Sequence, residues 1–162
     1  NNSNIILAAN QAKELSEKEV AVVPTRTIQQ GVAALLAFSK DADLARNEKA
    51  MLQAAGRVKS GQVTFAVRDS SVDGVDIREG DFIGILDSRI VVSKTDPFET
   101  CAELIRNMLE GDEEVVSVYV GETARPEVTD KLRDFFENHF PDLEVELLPG
   151  GQPVYPYLFS AE

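Results

Sequence analysis

The sequence predicts a mixed α/β fold in which helices flank mixed β-sheets. Three observations lead to this prediction. Apolar residues recur at helical spacing in the first part of the chain, and from Gln62 they alternate with polar residues. The C-terminal third reads as a strand, a helix and a second strand. The 162 residues are the length of one ordinary domain, so we expect one compact C-terminal domain of a longer protein.

The first sixty residues read as a helix, a strand and two further helices. The helical patterns cover residues 5–15, 28–38 and 44–58, and Gly61 is expected to stop the last helix. Residues 20–23 form a short apolar run that ends at Pro24, which is typical of a buried strand. We therefore expect a partial α/β layer over residues 1–60.

Residues 61–162 are expected to combine an antiparallel meander with a βαβ unit in a sandwich. Val63, Phe65 and Val67 alternate with polar neighbours. Short β-rich pieces follow at residues 75–77, 82–86 and 90–93. The turn pairs beside them are Asp73-Gly74, Glu79-Gly80 and Asp87-Ser88.

The βαβ unit follows a helix with clear start and stop signals. Asp96 is a suitable N-cap, Pro97 suits the first helical position, and Gly111 lies beyond the last turn. Residues 115–120 then form an apolar strand, Pro126 opens a helix, and residues 143–147 alternate as a second strand. Pro156 interrupts the last apolar piece, residues 154–159, which predicts an edge strand.

The charge distribution argues against nucleic acid as a partner. The chain has 28 acidic and 16 basic residues, a net charge of −12 that would repel a phosphate backbone. Residues 1–95 hold 12 of each sign, whereas residues 96–162 hold 16 acidic and 4 basic residues. This acidic part is either a solvated surface or a docking face for a basic partner.

Residues with catalytic potential are few. Cys101 and the single histidine, His139, lie far apart in sequence, and we interpret them as a core residue and a residue at a helix C-terminus. The sequence has no zinc-ligand spacing, no calcium-loop context and no glycine-rich phosphate motif. We therefore expect no catalytic, cofactor-binding or metal-binding residue in this chain.

Two loops are candidates for binding a partner protein. In the first, Thr25 or Thr27 caps a helix beside Arg26, and the alternative is a capped helix with an exposed arginine. The second loop runs from Gly150 to Tyr157, and its alternative is a strand locked by prolines and aromatic side chains. Its candidate residues are Gly150, Gly151, Gln152, Tyr155 and Tyr157.

Six blocks of the sequence, taken in order, resemble the C-terminal domain of the kinase subunit of fatty acid kinase, which belongs to a dihydroxyacetone-kinase-related family. The resemblance covers essentially the whole chain, and no single block is diagnostic. The blocks are Asn1 to Ile6, Val23 to Thr27 leading to Gln30-Gly31, Ser60 to Thr64, Asp73-Gly74, Glu79 to Ile85 and Gly150 to Tyr157.

The resemblance implies a longer protein with a kinase domain, a middle domain and this C-terminal domain. In such proteins the kinase domain binds ATP and magnesium, and it phosphorylates a fatty acid that a separate DegV-family protein carries. The acyl phosphate then enters phospholipid synthesis. The C-terminal domain is understood to dock the carrier and to share its DegV-like fold. The family's magnesium-binding carboxylates match nothing in this chain, and the family domain begins with further strands and helices.

The resemblance therefore predicts a docking domain that has no activity by itself. A module that holds an acyl chain in its own pocket is the first alternative, and a separate hydrolase or transferase is the second. The one cysteine cannot form an internal disulfide, and no apolar stretch approaches a membrane helix. We expect a cytoplasmic protein without membrane insertion.

Overall fold

The structure is a computed structural model that describes residues 3–72 and 74–162. Asn1, Asn2 and Asp73 lie outside the described residues, so the predicted Asp73-Gly74 turn is described only at Gly74. The chain divides into two compact units, Asn1–Val58 and Lys59–Glu162.

The first unit contains three helices: α1 (Ser3–Leu15), α2 (Ile28–Leu36) and α3 (Leu44–Arg57). No residue of α1 is buried. Helices α2 and α3 pack together, and Asn47 of α3 fixes the loop between them. Its side-chain amide donates to the carbonyl oxygens of Ser39 and Ala42, at 2.8 and 3.1 Å, and its Oδ1 accepts from the Ser39 N–H at 2.8 Å.

The strand predicted at residues 20–23 is absent, and the described part of residues 1–58 contains no strand. An apolar run becomes a strand only where a neighbouring strand satisfies its backbone groups, and no such neighbour lies in the described part of this unit. The predicted stop of α3 is also wrong. The helix ends at Arg57, and Gly61 lies inside the first strand of the second unit.

The second unit is built around one mixed sheet, which has six strands in the described residues, in the order β5-β4-β1-β8-β6-β7. The bounds are β1 (Lys59–Phe65), β2 (Ser70–Val72), β3 (Val75–Ile77), β4 (Phe82–Leu86), β5 (Arg89–Lys94), α4 (Pro97–Met108), β6 (Val115–Val120), α5 (Pro126–His139), β7 (Glu144–Pro149) and β8 (Tyr157–Ala161). The predicted βαβ unit is confirmed, because β6 and β7 pair in parallel and α5 connects them. The predicted mixed α/β class is also confirmed.

The meander is only partly as predicted. Strands β1, β4 and β5 are antiparallel neighbours, and Asp87 and Ser88 turn the β4–β5 hairpin with φ of 45° and 79°. Both angles are positive, as a tight type I′ turn requires. Strands β2 and β3, however, form a separate two-stranded sheet, so the Glu79-Gly80 turn leads from one sheet to the other. The unit is therefore not a sandwich of a meander and a βαβ layer.

The predicted edge strand at residues 154–159 is also wrong. Strand β8 begins after Pro156 and lies between β1 and β6, antiparallel to both. All five of its residues are buried. Since Pro156 precedes the strand, its missing N–H removes no ladder hydrogen bond and does not restrict β8 to an edge.

The core of the second unit lies between the sheet and the helices α4 and α5. Helix α4 starts as predicted, with Asp96 accepting from the Glu99 N–H at 2.9 Å and Pro97 in the first turn. A Cβ atom on Gly61 would lie 3.0 Å from Met108 Sδ of this helix. The largest fully buried side chains of the core are Tyr157, Phe159, Leu104, Ile105, Met108 and Leu132.

Candidate partner-binding loops

The loop before α2 is held by side-chain hydrogen bonds at the helix start. Thr27 is the N-cap, with extended backbone, and its hydroxyl accepts from the Gln30 N–H at 3.2 Å. The Gln30 side chain accepts in return from the Arg26 N–H at 2.8 Å. Two donors at the helix start are thus satisfied reciprocally, as in a capping box displaced by one residue.

This loop presents Arg26 as its most accessible candidate residue. Arg26 is exposed, Thr25 is half-buried and Thr27 is buried. Because residues 20–23 are not a strand, the expected position of Arg26 at the carboxyl edge of a sheet within this unit is wrong. The predicted helix cap at Thr27 is confirmed.

The loop from Gly150 to Pro156 is fixed to the end of β6. The N–H groups of Gly150 and Gly151 donate to the Val120 carbonyl at 2.9 and 3.1 Å. The Gln152 amide donates to the Tyr119 carbonyl at 2.9 Å, and the Gly121 N–H donates to the Pro156 carbonyl at 2.8 Å. The loop is therefore a rigid surface feature.

Glycine is required at two positions of this arrangement. A Cβ atom on Gly121 would lie 2.2 Å from the Tyr155 carbonyl oxygen, which is a clash with backbone. Gly151 has φ of 65°, a conformation that disfavours other residues. The glycines and Gln152 thus shape the loop, while Tyr155 is half-buried and Val154 is 54% exposed.

Tyr157 does not lie on the surface. Its side chain belongs to the core, and the residue is 1% exposed. Its hydroxyl donates to the Arg125 carbonyl at 3.2 Å and lies 2.8 Å from the Thr129 hydroxyl. Burial raises the pKa of Tyr157. This residue therefore anchors the start of β8 to the start of α5, and we leave it out of the docking surface.

A small cavity of about 160 Å³ lies beside Tyr157, and no sequence pattern predicts it. It lies at the start of α4 and of α5, where Pro97 and Arg125 contribute to its wall. Arg125 is the N-cap of α5, and its side chain is exposed and makes no capping bond. The proline at each helix start is the available signal, but the meeting of the two starts depends on the sheet order. The remaining lining residues are Phe65, Phe82, Thr123, Val128, Pro156 and Tyr157.

A cluster of acidic side chains surrounds Lys59 at the start of β1. In the part of the chain that the structure describes, Glu110, Asp112 and Glu113 place carboxylate oxygens within 4.8 Å of one another. The Lys59 ammonium lies 2.9 Å from Glu110 and 3.9 Å from Asp112, and it also bonds Glu113. Lys59 thus compensates much of the negative charge, and we interpret the cluster as an ion-pair network.

The two residues with chemical potential have structural positions. Cys101 is fully buried in the core, and burial raises the pKa of its thiol. His139 lies in the last turn of α5, where its Nδ1 is 3.0 Å from the Phe135 carbonyl oxygen and its ring stacks on Phe135 at 4.6 Å. The predicted core position of Cys101 and helix-end position of His139 are confirmed.

None of the helices in residues 3–72 and 74–162 combines the length and apolar character needed to cross a membrane.

The chain is similar to longer staphylococcal proteins. It is 42% identical over 162 residues to an uncharacterized protein from Staphylococcus aureus strain MRSA252, and 44% identical to one from Staphylococcus haemolyticus. The whole chain is covered in each comparison, and it spans 30% and 29% of the length of these relatives.

A solved structure shares the fold at low sequence identity. The crystal structure of a DegV family protein from Corynebacterium glutamicum matches with a TM-score of 0.60 and 15% identity, over 96% of this chain and 67% of that one. A family model for the C-terminal domain of proteins like FakA, a subunit of fatty acid kinase, matches residues 1–162. The chain therefore belongs to the FakA-like C-terminal domain family of fatty acid kinase.

Proposed function

We propose that this chain is the docking domain of a two-component fatty acid kinase and has no catalytic activity by itself. The family match over all 162 residues carries the proposal. In this proposal, a separate DegV-family protein carries the fatty acid and binds this domain. A kinase domain elsewhere in the longer protein binds ATP and magnesium and forms the acyl phosphate, which then enters phospholipid synthesis in the cytoplasm.

The accessible parts of the two loops are the surfaces we propose for docking. Arg26 is exposed next to a firmly capped helix start, and an arginine held there can pair with a carboxylate without a large loss of chain entropy. Gly150, Gly151, Gln152 and Tyr155 form the second loop, which its hydrogen bonds hold in one conformation. A preformed loop lowers the entropic cost of association.

The Arg26→Ala variant tests the first loop. We expect it to weaken binding to a fatty-acid-loaded DegV-family protein about tenfold, as loss of one interface arginine commonly does. The thermal stability should stay unchanged, because the Arg26 side chain is exposed and the cap uses its backbone N–H. Biolayer interferometry measures the affinity, and calorimetry measures the melting temperature.

Arg46→Ala is the matched control. Arg46 is an exposed arginine near the start of α3, and only its backbone N–H takes part in the cap by Asp43. Equal affinity for Arg26→Ala and Arg46→Ala would remove Arg26 from the docking surface. No binding of the unmodified chain to any DegV-family carrier of the same organism would contradict the proposed function itself.

A further inference from the structure

Strand β7 ends the six-stranded sheet formed by the described residues, so one of its edges has no strand beside it. The hydrogen bonds to β6 identify which residues face that edge. The N–H groups of Glu144 and Gly150 donate toward β6, to the carbonyl oxygens of Glu114 and Val120 at 3.0 and 2.9 Å. Backbone groups of alternate residues point to opposite sides of a strand. The N–H and C=O groups of Val145 and Leu147 therefore point outward.

An apolar cleft of about 310 Å³ lies along this edge, between β7 and α5. Its volume is at the low end of the range for small-molecule pockets, which is enough for one or two apolar side chains. Arg133 and Glu137 complete its wall. The apolar lining residues are Phe136, Phe140, Pro141, Leu143, Val145 and Leu147.

The opposite face of the same strand is acidic. Glu144 and Glu146 are exposed and alternate with the two cleft-facing residues. Glu137 in the wall of the cleft and Asp142 in the loop before β7 are also exposed acids. Arg133, the basic residue in that wall, is paired with Asp130 at 3.0 Å. A strand added to this edge would therefore meet negative charge on one face and an apolar cleft on the other.

We infer that the outer edge of β7 docks an extended, basic segment of a separate partner protein, which adds to the sheet as a seventh strand. Residues of the segment opposite Val145 and Leu147 insert apolar side chains into the cleft, and the residues between them place lysine or arginine beside Glu144 and Glu146. This is strand addition, in which the backbone provides affinity and alternate side chains provide specificity.

A second copy of this chain fits the edge poorly. The antiparallel register that uses Val145 and Leu147 of both copies places Glu146 directly opposite Glu146 of the other copy. Like charges in that position destabilise a strand pair. Pro149 has no N–H and shortens the usable edge. Charged residues and prolines protect an exposed edge from indiscriminate pairing, which suits an edge that is open part of the time and binds a separate protein reversibly.

A synthetic peptide of alternating lysine and valine, with blocked ends, is the probe. We expect it to bind the 162-residue chain and to shift the amide NMR signals of Val145 and Leu147. A matched peptide, N-methylated at the valines, lacks the donors that reach β7 and should bind about tenfold more weakly, because two backbone hydrogen bonds are lost. A peptide of alternating glutamate and valine should not bind measurably.

Variants of the protein test the charge requirement. Glu144→Gln with Glu146→Gln should weaken the lysine peptide about fivefold, as expected for two cross-strand charge pairs. Glu122→Gln with Glu127→Gln removes two exposed acids of the same unit away from β7, and it should leave the affinity unchanged.

Several results would overturn the inference. These are no binding of the lysine peptide, equal binding of its N-methylated form, or NMR shifts away from β7. A dimer in sedimentation that the peptide dissociates would make a second copy the occupant. Exclusion of the peptide from a full-length staphylococcal relative would mean that a segment of the same polypeptide holds the edge. Because the inference depends on β7 and not on the two loops, its failure would leave the Arg26 experiment unaffected.

Discussion

At the scale of single residues, the pair formed by Lys59 and Glu113 shows how an ion pair can be held at the edge of a core. The Glu113 side chain is 4% exposed, and that of Lys59 is 28% exposed. Burial opposes ionisation of Glu113, but the Lys59 ammonium and the N–H groups of Gly111 and Glu110 outweigh it and lower its pKa to about 2. The hydrogen bond to Glu113 raises the pKa of Lys59.

The lowered pKa makes a prediction about pH. A carboxyl group whose pKa is lower in the folded state stabilises the fold above its unfolded pKa, about 4.3, and loses that effect as the pH falls toward its folded pKa. Glu113→Gln should therefore lower the free energy of unfolding by about 1–2 kcal/mol at neutral pH. The difference from the unmodified chain should shrink between about pH 5 and pH 2.

Tyrosine fluorescence during urea unfolding measures this effect in the correct unit, since the three tyrosines, Tyr119, Tyr155 and Tyr157, all lie in residues 59–162. Glu114→Gln is the control, because Glu114 is the adjacent exposed acid. A constant difference for Glu113→Gln from neutral to acidic pH would show that its charge does not stabilise the fold.

The sequence is informative about residues whose partners are close in the chain. Residue type and position alone identify Thr27 and Asp96 as helix caps, because their side-chain oxygens bond N–H groups three residues ahead. The partners of Lys59 lie more than fifty residues away. Nothing local to Lys59 indicates that pairing, and the burial of Tyr157 escapes sequence-based prediction for the same reason.

At the scale of elements, β8 shows where local patterns are insufficient. The pattern locates its residues almost correctly, but position in the sheet depends on which strands pair, and that information is spread over β1, β6 and β8. The reverse error occurs at residues 20–23, where a short apolar run has no strand beside it. The unit from β6 to β7 is predicted well because consecutive elements form it.

The central position of β8 predicts a large cost for Phe159→Ala. Phe159 is fully buried, so its truncation should lower the free energy of unfolding by about 3–5 kcal/mol, through lost burial and a remaining cavity. Urea unfolding followed by tyrosine fluorescence measures the change. Val154→Ala, in the exposed loop before β8, should cost less than about 0.5 kcal/mol. A similarly small cost for Phe159→Ala would mean that β8 is not a central strand.

At the scale of the whole molecule, the imbalance of charge is the property that sequence alone establishes most firmly. Residues 96–162 carry 16 acidic and 4 basic side chains, and all of them lie in the second unit. The structure adds position: the exposed acids of β7 lie beside an apolar cleft. An acidic surface of this kind either only keeps the unit solvated or attracts a basic partner over distance, and salt distinguishes the two.

Salt should change the rate at which a DegV-family carrier associates with this chain if the acidic surface takes part in docking. Long-range attraction between opposite charges is screened beyond about 8–10 Å at physiological ionic strength. Raising salt from low to physiological concentration should therefore slow association several-fold while changing dissociation little, because rim charges mainly affect the encounter. Apolar burial around Tyr155 predicts the opposite, since ordinary salt barely weakens it. We expect a mixed interface with the smaller share electrostatic, and stopped-flow association across this salt range measures that share. A flat association rate would identify the acidic surface as solvation alone and leave the Arg26 loop and the Gly150–Tyr155 loop as the docking surface.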